Sequence, residues 1–383
     1  MLYRKMGKTN EKVSVLGFGC MRLPVINGEQ NNIDEEKATN MLRYAIDNGV
    51  NYVDTAYPYH GTGFDKPGEG EPFVARALKD GYREKVNLAT KLPTWLVQSR
   101  EDMDRLLAEQ LERLETDKID FYLLHSLNKG VWENLKKCGV DEFLDQAIKD
   151  GRIKYAGFSF HDGPKTFKEI VDFYDWSFCQ IQYNYLDENY QAGKEGLKYA
   201  ADKGLGIVIM EPLKGGRLAG KVPEEILNKW NEAPIKRTPA QWALRWVMNH
   251  PEVSVVLSGM TTMEQVKDNI KTAQKGEANS LTEQEIELVN YAKKVFKNKT
   301  KINCTACKYC MPCPVGVDIP QNFAIYNNGY LFNDIEQAKT QYKKFLLDKA
   351  KAANCIECGE CETHCPQNIS IRRELKNVRK ALE

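Results

Sequence analysis

At 383 residues the chain is too long for one ordinary domain and predicts a large domain plus a small one. A hydrophobic fraction of 42% and a charged fraction of 28% fit a soluble globular protein, and a formal net charge of +1 gives no electrostatic case for nucleic acid or an anionic membrane. No stretch approaches the roughly 20 apolar residues of a membrane span, and residues 1–14 carry no signal-peptide core, so the expected location is cytoplasmic.

Eleven cysteines in such a chain point to metal rather than disulfides, because cytoplasmic thiols stay reduced. Cys20, Cys138 and Cys179 are scattered, while the other eight fall in two tight groups after residue 303. That places a boundary near residue 298, with domains at 1–297 and 298–383.

In chain order, short β-rich runs alternate with amphipathic helical stretches. Candidate strands lie at 13–19, 52–56, 86–92, 119–125, 153–159, 178–184, 206–212 and 254–260. The stretch 99–115 shows the helical pattern, with Leu106, Leu107, Leu111 and Leu114 at helical spacing and a Ser99-x-x-Asp102 capping signal. Eight strands alternating with helices predict an α/β fold, a (β/α)8 TIM barrel. An open doubly wound sheet would carry a Gly-rich phosphate loop after its first strand, and GFGCMRLP is not that fingerprint.

Barrel chemistry sits at the C-terminal strand ends. Those ends run into Asp54, Tyr57 and Tyr59, then Lys91, then His125. Singly, each has an ordinary reading as a helix cap, a solvated charge or a structural histidine. Together they make a proton donor. A lysine ammonium favours the phenolate of a nearby tyrosine, an aspartate holds the lysine charged, and a histidine orients a carbonyl oxygen. The matching reaction is protonation of an oxygen while hydride reaches its carbon. Trp95, Trp132, Tyr57 and Phe160 are candidates for an aromatic substrate pocket, with core packing as the alternative.

These residues carry a resemblance to the aldo-keto reductase family over residues 1–297. RKMGKTNEKVSVLGFG resembles its opening hairpin and first strand, DTAYPYHG its Asp–Thr–Ala–x–x–Tyr segment, and ATKL and LLHS the segments of its lysine and histidine. The resemblance implies a nicotinamide-dependent oxidoreductase acting on a small carbonyl or alcohol, with Tyr59 as general acid and Asp54, Lys91 and His125 in support. Tyr57 is the rival tyrosine, and the family's spacing favours Tyr59.

For the cofactor, NADP or NAD, the resemblance implies contacts from Gly19, Met21, Arg22 and Asp54. GFSF supplies Ser159 but puts Phe160 where the family usually has an asparagine on the nicotinamide amide. Gln180 matches the second amide contact, and Met210 stands where a stacking tyrosine is common. The loop with Leu213, Gly215 and Arg217 is expected over the pyrophosphate. SGMTTMEQVKDNI resembles the phosphate-binding stretch and supplies Ser258, Gly259, Met260, Thr261, Gln265 and Asn269. Gly259, Met260 and Gln265 replace the basic residues that read a 2′-phosphate, leaving Lys267 and Lys271 nearby.

Residues 298–303 read as a polar, lysine-rich linker. CTACKYCMPCPVG then carries Cys304, Cys307, Cys310 and Cys313, and CIECGECETHCP carries Cys355, Cys358, Cys361 and Cys365. The second is the C-x2-C-x2-C-x3-C-P run of bacterial ferredoxins, and the first is one residue shorter before its last cysteine. By the two-cluster ferredoxin pattern, Cys304, Cys307, Cys310 and Cys365 hold one [4Fe-4S] cluster, and Cys355, Cys358, Cys361 and Cys313 the other. Zinc is the alternative, but its knuckles use pairs of cysteines rather than triplets. Residues 334–353 read as helical, and the tail resembles the α-helical ferredoxin module. The combination resembles an iron–sulfur-containing subgroup of the family.

Three functions follow: carbonyl reduction with a structural or docking tail, electron relay between a ferredoxin or flavoprotein and the barrel, or redox sensing. Nicotinamide passes two electrons and each cluster one, so direct coupling needs a flavin or a radical step.

Overall fold

The computed structural model describes residues 1–304, 306, 309–365 and 367–383. Two compact units emerge: 1–215 with 240–281, and 216–239 with 282–383.

The first unit opens with an antiparallel hairpin, β1 (Tyr3–Lys5) and β2 (Lys12–Ser14). Eight parallel strands then close a barrel: β3 (Leu16–Gly19), β4 (Tyr52–Asp54), β5 (Asn87–Leu92), β6 (Ile119–Leu127), β7 (Ile153–Phe160), β8 (Phe178–Gln182), β9 (Gly206–Met210) and β10 (Val255–Gly259). β10 pairs with both β9 and β3. Each expected strand is present. The run 13–19 divides, however, because Ser14 turns the chain. Its N–H donates to Asn51 Oδ1 at 2.7 Å and its hydroxyl to the Leu16 carbonyl at 2.7 Å. Val13 therefore belongs to the hairpin and Leu16 to the barrel.

The strands are buried on both faces, as a parallel sheet wrapped by helices requires. Tyr52, Phe121, Leu123, Phe178, Val208 and Val255 fill the barrel, and Met6 of the hairpin packs into the same cluster. The Phe178 ring lies against Gly157, where a Cβ would sit 2.5 Å from it. Burying one such phenyl contributes about 1.5–3 kcal/mol. Helix Arg100–Arg113 carries the capping box expected of Ser99 and Asp102.

Among its described residues the second unit has helices as its regular elements and no strand. These are Arg217–Gly220, Glu224–Trp230, Glu283–Lys299, Ile319–Leu331, Ile335–Phe345, Glu360–Thr363 and Ile371–Leu382, joined by irregular segments and short 3-10 turns. Val317, Phe323, Tyr342, Leu375 and Val378 anchor its core, and Cys304, Cys310, Cys313, Cys355, Cys361 and Cys365 pack against it.

Two local expectations change here. The helix expected over 334–353 ends at Phe345. Beyond it the backbone is engaged elsewhere: the Ala352 N–H donates to Tyr342 Oη at 2.8 Å, and the Ala350 carbonyl accepts from Asn322 Nδ2 at 2.8 Å. The segment read as a linker is helical to Lys299 and then pinned. Asn327 Oδ1 accepts from the Ile302 N–H at 2.9 Å while its Nδ2 donates to the Ile302 carbonyl at 2.8 Å. Ile302 is apolar and buried, which the lysines around it concealed. Among the described residues no helix is long and apolar enough to cross a membrane.

Candidate active site

Strand register brings the barrel-end residues together. Asp54 ends β4 opposite Ala89 of β5, and Lys91 lies two residues on, pointing to the same face. Lys91 pairs with Leu123 of β6, and His125 again lies two residues on. Between Leu124 and Leu127 the register of β6 against β7 shifts, and Ser126 has φ +56°. Tyr59 arrives from the loop after β4. Its carbonyl accepts from the Gly70 N–H at 2.9 Å, and a Cβ on Gly70 would sit 3.0 Å from the Tyr59 Cβ.

Lys91 is completely buried. Its ammonium donates to both Asp54 oxygens and to the Thr55 carbonyl, each at 2.8 Å, and lies 3.4 Å from Tyr59 Oη. Burial alone would lower the lysine, but Asp54 and Tyr59 outweigh it and hold the ammonium above its ordinary range. Burial pushes the Asp54 carboxyl up against the pull of Lys91. With both oxygens accepting from the ammonium, the proton resides on Lys91.

Burial also pushes the Tyr59 phenol up, and Lys91 pulls it back only in part. The expected action of the lysine is present, but desolvation is the larger effect. His125 meets the Tyr59 ring edge to face at 6.3 Å between centroids. Burial, then Lys91 and His161, drive its pKa well down, so it is neutral at pH 7. Its Nδ1 is buried without a hydrogen-bond partner among the described residues.

Tyr57 is placed differently. It is buried, with the Arg113 guanidinium 5.1 Å from its ring centroid. Of the four aromatics considered for the pocket, Trp95 is the one in ring contact with His125, at 5.2 Å. Trp132 packs on Phe173 and Trp176, and Phe160 on Phe167. Sequence reasoning missed Phe64. Its carbonyl accepts from Trp95 Nε1 at 2.7 Å, and its exposed ring stands perpendicular to the indole. Also missed was a buried network beneath Lys91. Glu71 Oε1 accepts from Thr90 and Gln110, its Oε2 accepts from Arg113, and Gln110 donates to the Lys91 carbonyl at 3.0 Å. A glutamate in an otherwise apolar helical turn was the available signal.

Ser159 and Gln180 face each other across β7 and β8. Ser159 Oγ accepts from the Ser126 N–H at 2.7 Å. Gln180 Nε2 reaches Met210 Sδ at 3.5 Å, while its Oε1 is buried without a partner among the described residues. An orphaned buried carbonyl is costly and fits a donor brought by a ligand, such as a carboxamide. At the other end, Asn269 donates to Ser258 Oγ at 3.0 Å and Gln265 Oε1 accepts from the Thr261 N–H at 2.8 Å. Arg22 lies across Gly259, where a Cβ would be 3.1 Å from its own, and its carbonyl accepts from Thr261 Oγ1 at 3.0 Å. A Cβ on Gly215 would lie 3.5 Å from the Arg22 guanidinium. Gly19 is buried beside Ser258, Met21 is exposed, Leu213 is half-buried and Met260 is fully buried. Arg217 belongs to the second unit, where it donates to Gln341 at 2.9 Å and covers the Phe332 ring.

In the tail, a cavity of about 320 Å³ is lined by Cys313, Cys355, Cys358 and Cys361, the four thiols assigned to one cluster, and Cys310 also reaches its wall. Burial first, then Glu362 and the thiols of Cys355, Cys358 and Cys313, push the Cys361 thiol up to about 11. Cys304 and Cys365 pack on the same core. Cys307 lies outside the described residues. No disulfide joins the described cysteines. Among the described residues no three His, Cys, Asp or Glu side chains are grouped tightly enough to hold a single metal ion.

Residues 15–293 match the Aldo/keto reductase family and residues 303–369 a 4Fe-4S dicluster domain. The uncharacterized oxidoreductase YrpG of Bacillus subtilis is 28% identical over 314 residues, 72% of this chain and 91% of that one. L-glyceraldehyde 3-phosphate reductase of Escherichia coli O157:H7 is 26% identical over 316 residues, 71% of this chain and 87% of that one. Among solved structures, the holo form of aldo-keto reductase AKR11C1 from Bacillus halodurans superposes with a TM-score of 0.63 at 28% identity, covering 76% of this chain and 96% of that one.

Proposed function

The chain belongs to the aldo/keto reductase family, and from that premise we propose that it reduces a carbonyl, or oxidises an alcohol, with NADP or NAD, using Tyr59 as general acid. The observation that carries this reading is the Lys91 ammonium, gripped by both Asp54 oxygens at 2.8 Å and lying 3.4 Å from Tyr59 Oη.

Ser159 and Gln180 would hold the carboxamide of a nicotinamide, which when bound would supply the hydride that the carbonyl carbon needs. The carbonyl oxygen takes the Tyr59 proton, and the fixed charge of Lys91 stabilises the phenolate that remains. Asp54 keeps that charge in place. Neutral His125 offers an N–H to the same oxygen and orients it. Trp95 and Phe64 wall the site and restrict water. One relative is named for reducing an aldehyde, L-glyceraldehyde 3-phosphate, which supports a carbonyl as the reacting group. With Phe160 turned to Phe167, the amide grip falls to Ser159 and Gln180. Gly259, Met260 and Gln265 supply no cation of their own to read a 2′-phosphate, and Arg22 is the cation placed beside Gly259.

Residues 298–383 act as the cluster domain, with two [4Fe-4S] clusters held crosswise. The donor set supports this: soft thiolates around a cavity are what such a cluster needs. A second reading, electron exchange with a ferredoxin or flavoprotein, is favoured by the exposure of Cys358, Tyr309 and Ile356 along that cavity.

The test is Tyr59→Phe beside Tyr57→Phe, purified anaerobically. Tyr59→Phe is expected to lower carbonyl reduction by about 10²–10⁴-fold with cluster absorbance unchanged, and Tyr57→Phe to retain it. Retained turnover in Tyr59→Phe removes that residue from its role.

A further inference from the structure

Arg372 lines the same cavity as Cys313, Cys355, Cys358 and Cys361. It lies in the first turn of the last helix, Ile371–Leu382. Its guanidinium donates to Glu362 Oε2 at 2.8 and 3.2 Å, and its backbone N–H donates to Glu362 Oε1 at 2.9 Å. Both ends of the pair are thereby fixed, and Glu362 directly follows Cys361 in the chain. Gly359 completes the seat. Its φ is +82°, and a Cβ there would lie 3.4 Å from Arg372 Cζ. A cation and an anion are thus anchored beside one set of thiols.

We propose that the Arg372–Glu362 pair sets the reduction potential of the cluster held by Cys313, Cys355, Cys358 and Cys361, with Arg372 raising it and Glu362 lowering it. This rests on the crosswise assignment of ligands to that cavity. Reduction by an external one-electron donor adds one negative charge to a centre already bounded by four thiolates. A nearby cation favours the reduced form and a nearby anion opposes it, because net charge around the sulfurs is one of the terms that set such potentials. Both residues are positioning residues: neither ligates. Side-chain exposures of 46% for Arg372 and 22% for Glu362 mean that solvent screens the effect. The expected change is about threefold to tenfold in the ratio of reduced to oxidised cluster, and tenfold corresponds to about 59 mV for one electron.

The experiment uses the full chain, anaerobically purified, as wild type, Arg372→Gln, Glu362→Gln, the double variant and Arg372→Lys. Each is titrated with dithionite through mediators and followed by EPR, with iron and sulfide counted. One of the two potentials is expected to fall in Arg372→Gln and rise in Glu362→Gln. The double variant should lie between, Arg372→Lys near wild type, and the other cluster should not move. The shifts should shrink as salt is raised. Shifts of the same sign in both single variants, no shift in either, or loss of the cluster in both Arg372→Gln and Arg372→Lys overturns the proposal. If wild type lacks two clusters, or Cys313→Ser leaves both signals unaltered, the ligand assignment itself has failed and the proposal falls with it.

Discussion

Replacing Lys91 by methionine isolates the electrostatic heart of the site. Methionine keeps most of the side-chain volume and removes the ammonium. Asp54, buried in the wild type, then loses both of its charge-assisted bonds. Breaking a buried pair from one side leaves an uncompensated charge and costs about 3–5 kcal/mol. The penalty has a pH signature. Burial already pushes the Asp54 carboxyl up, and without Lys91 nothing pulls it back. In the variant its folded pKa therefore lies above the unfolded value of about 3.9. The folded state binds the proton more readily, so stability falls as pH rises through the folded pKa and recovers as pH is lowered toward the unfolded one. Five of the six tryptophans, at 95, 132, 176, 242 and 246, lie in the first unit, so urea unfolding followed by indole fluorescence reports on it. Lys91→Met is expected to lose most stability at pH 8 and least near pH 5, and Asp54→Asn added to it should restore a large part at pH 8. Equal stability at both pH values, or no rescue by Asp54→Asn, would refute the reasoning.

Gln180→Leu removes the orphaned Oε1, so the cofactor-free barrel should gain up to about 1–3 kcal/mol while the nicotinamide cofactor binds more weakly, read by thermal shift with and without NADPH. Phe121→Ala empties part of the barrel core and should cost about 3–5 kcal/mol, read by the same urea titration. Cys358→Ala should remove one cluster signal. If it leaves hydride transfer unchanged, relay through the tail is not part of turnover.

The barrel was legible because each strand is a short β-rich run bounded by helical periodicity, and the catalytic candidates were legible because they share strand ends. What escaped depends on side-chain direction. Phe160 follows Ser159 in the same strand, but alternation turns it outward to Phe167, so its pairing with the pocket aromatics had no basis in spacing alone. The Glu71 network and the Trp95–Phe64 bond join residues 19 to 42 positions apart, with no periodic signal between them. The end of the helix at Phe345 was hidden because residues 346–353 retain helix-favouring lysine and alanine. Tertiary bonds from Asn322 and Tyr342 decide it instead.

The most direct measurement is a single turnover of the full chain, carrying about eight iron atoms, with nicotinamide cofactor deuterated at C4 and a simple aldehyde. Deuterium is expected on the new carbinol carbon, with loss of that transfer in Tyr59→Phe while the iron is retained. Fully loaded protein that binds the reduced cofactor yet delivers no deuterium to any carbonyl would contradict that expectation.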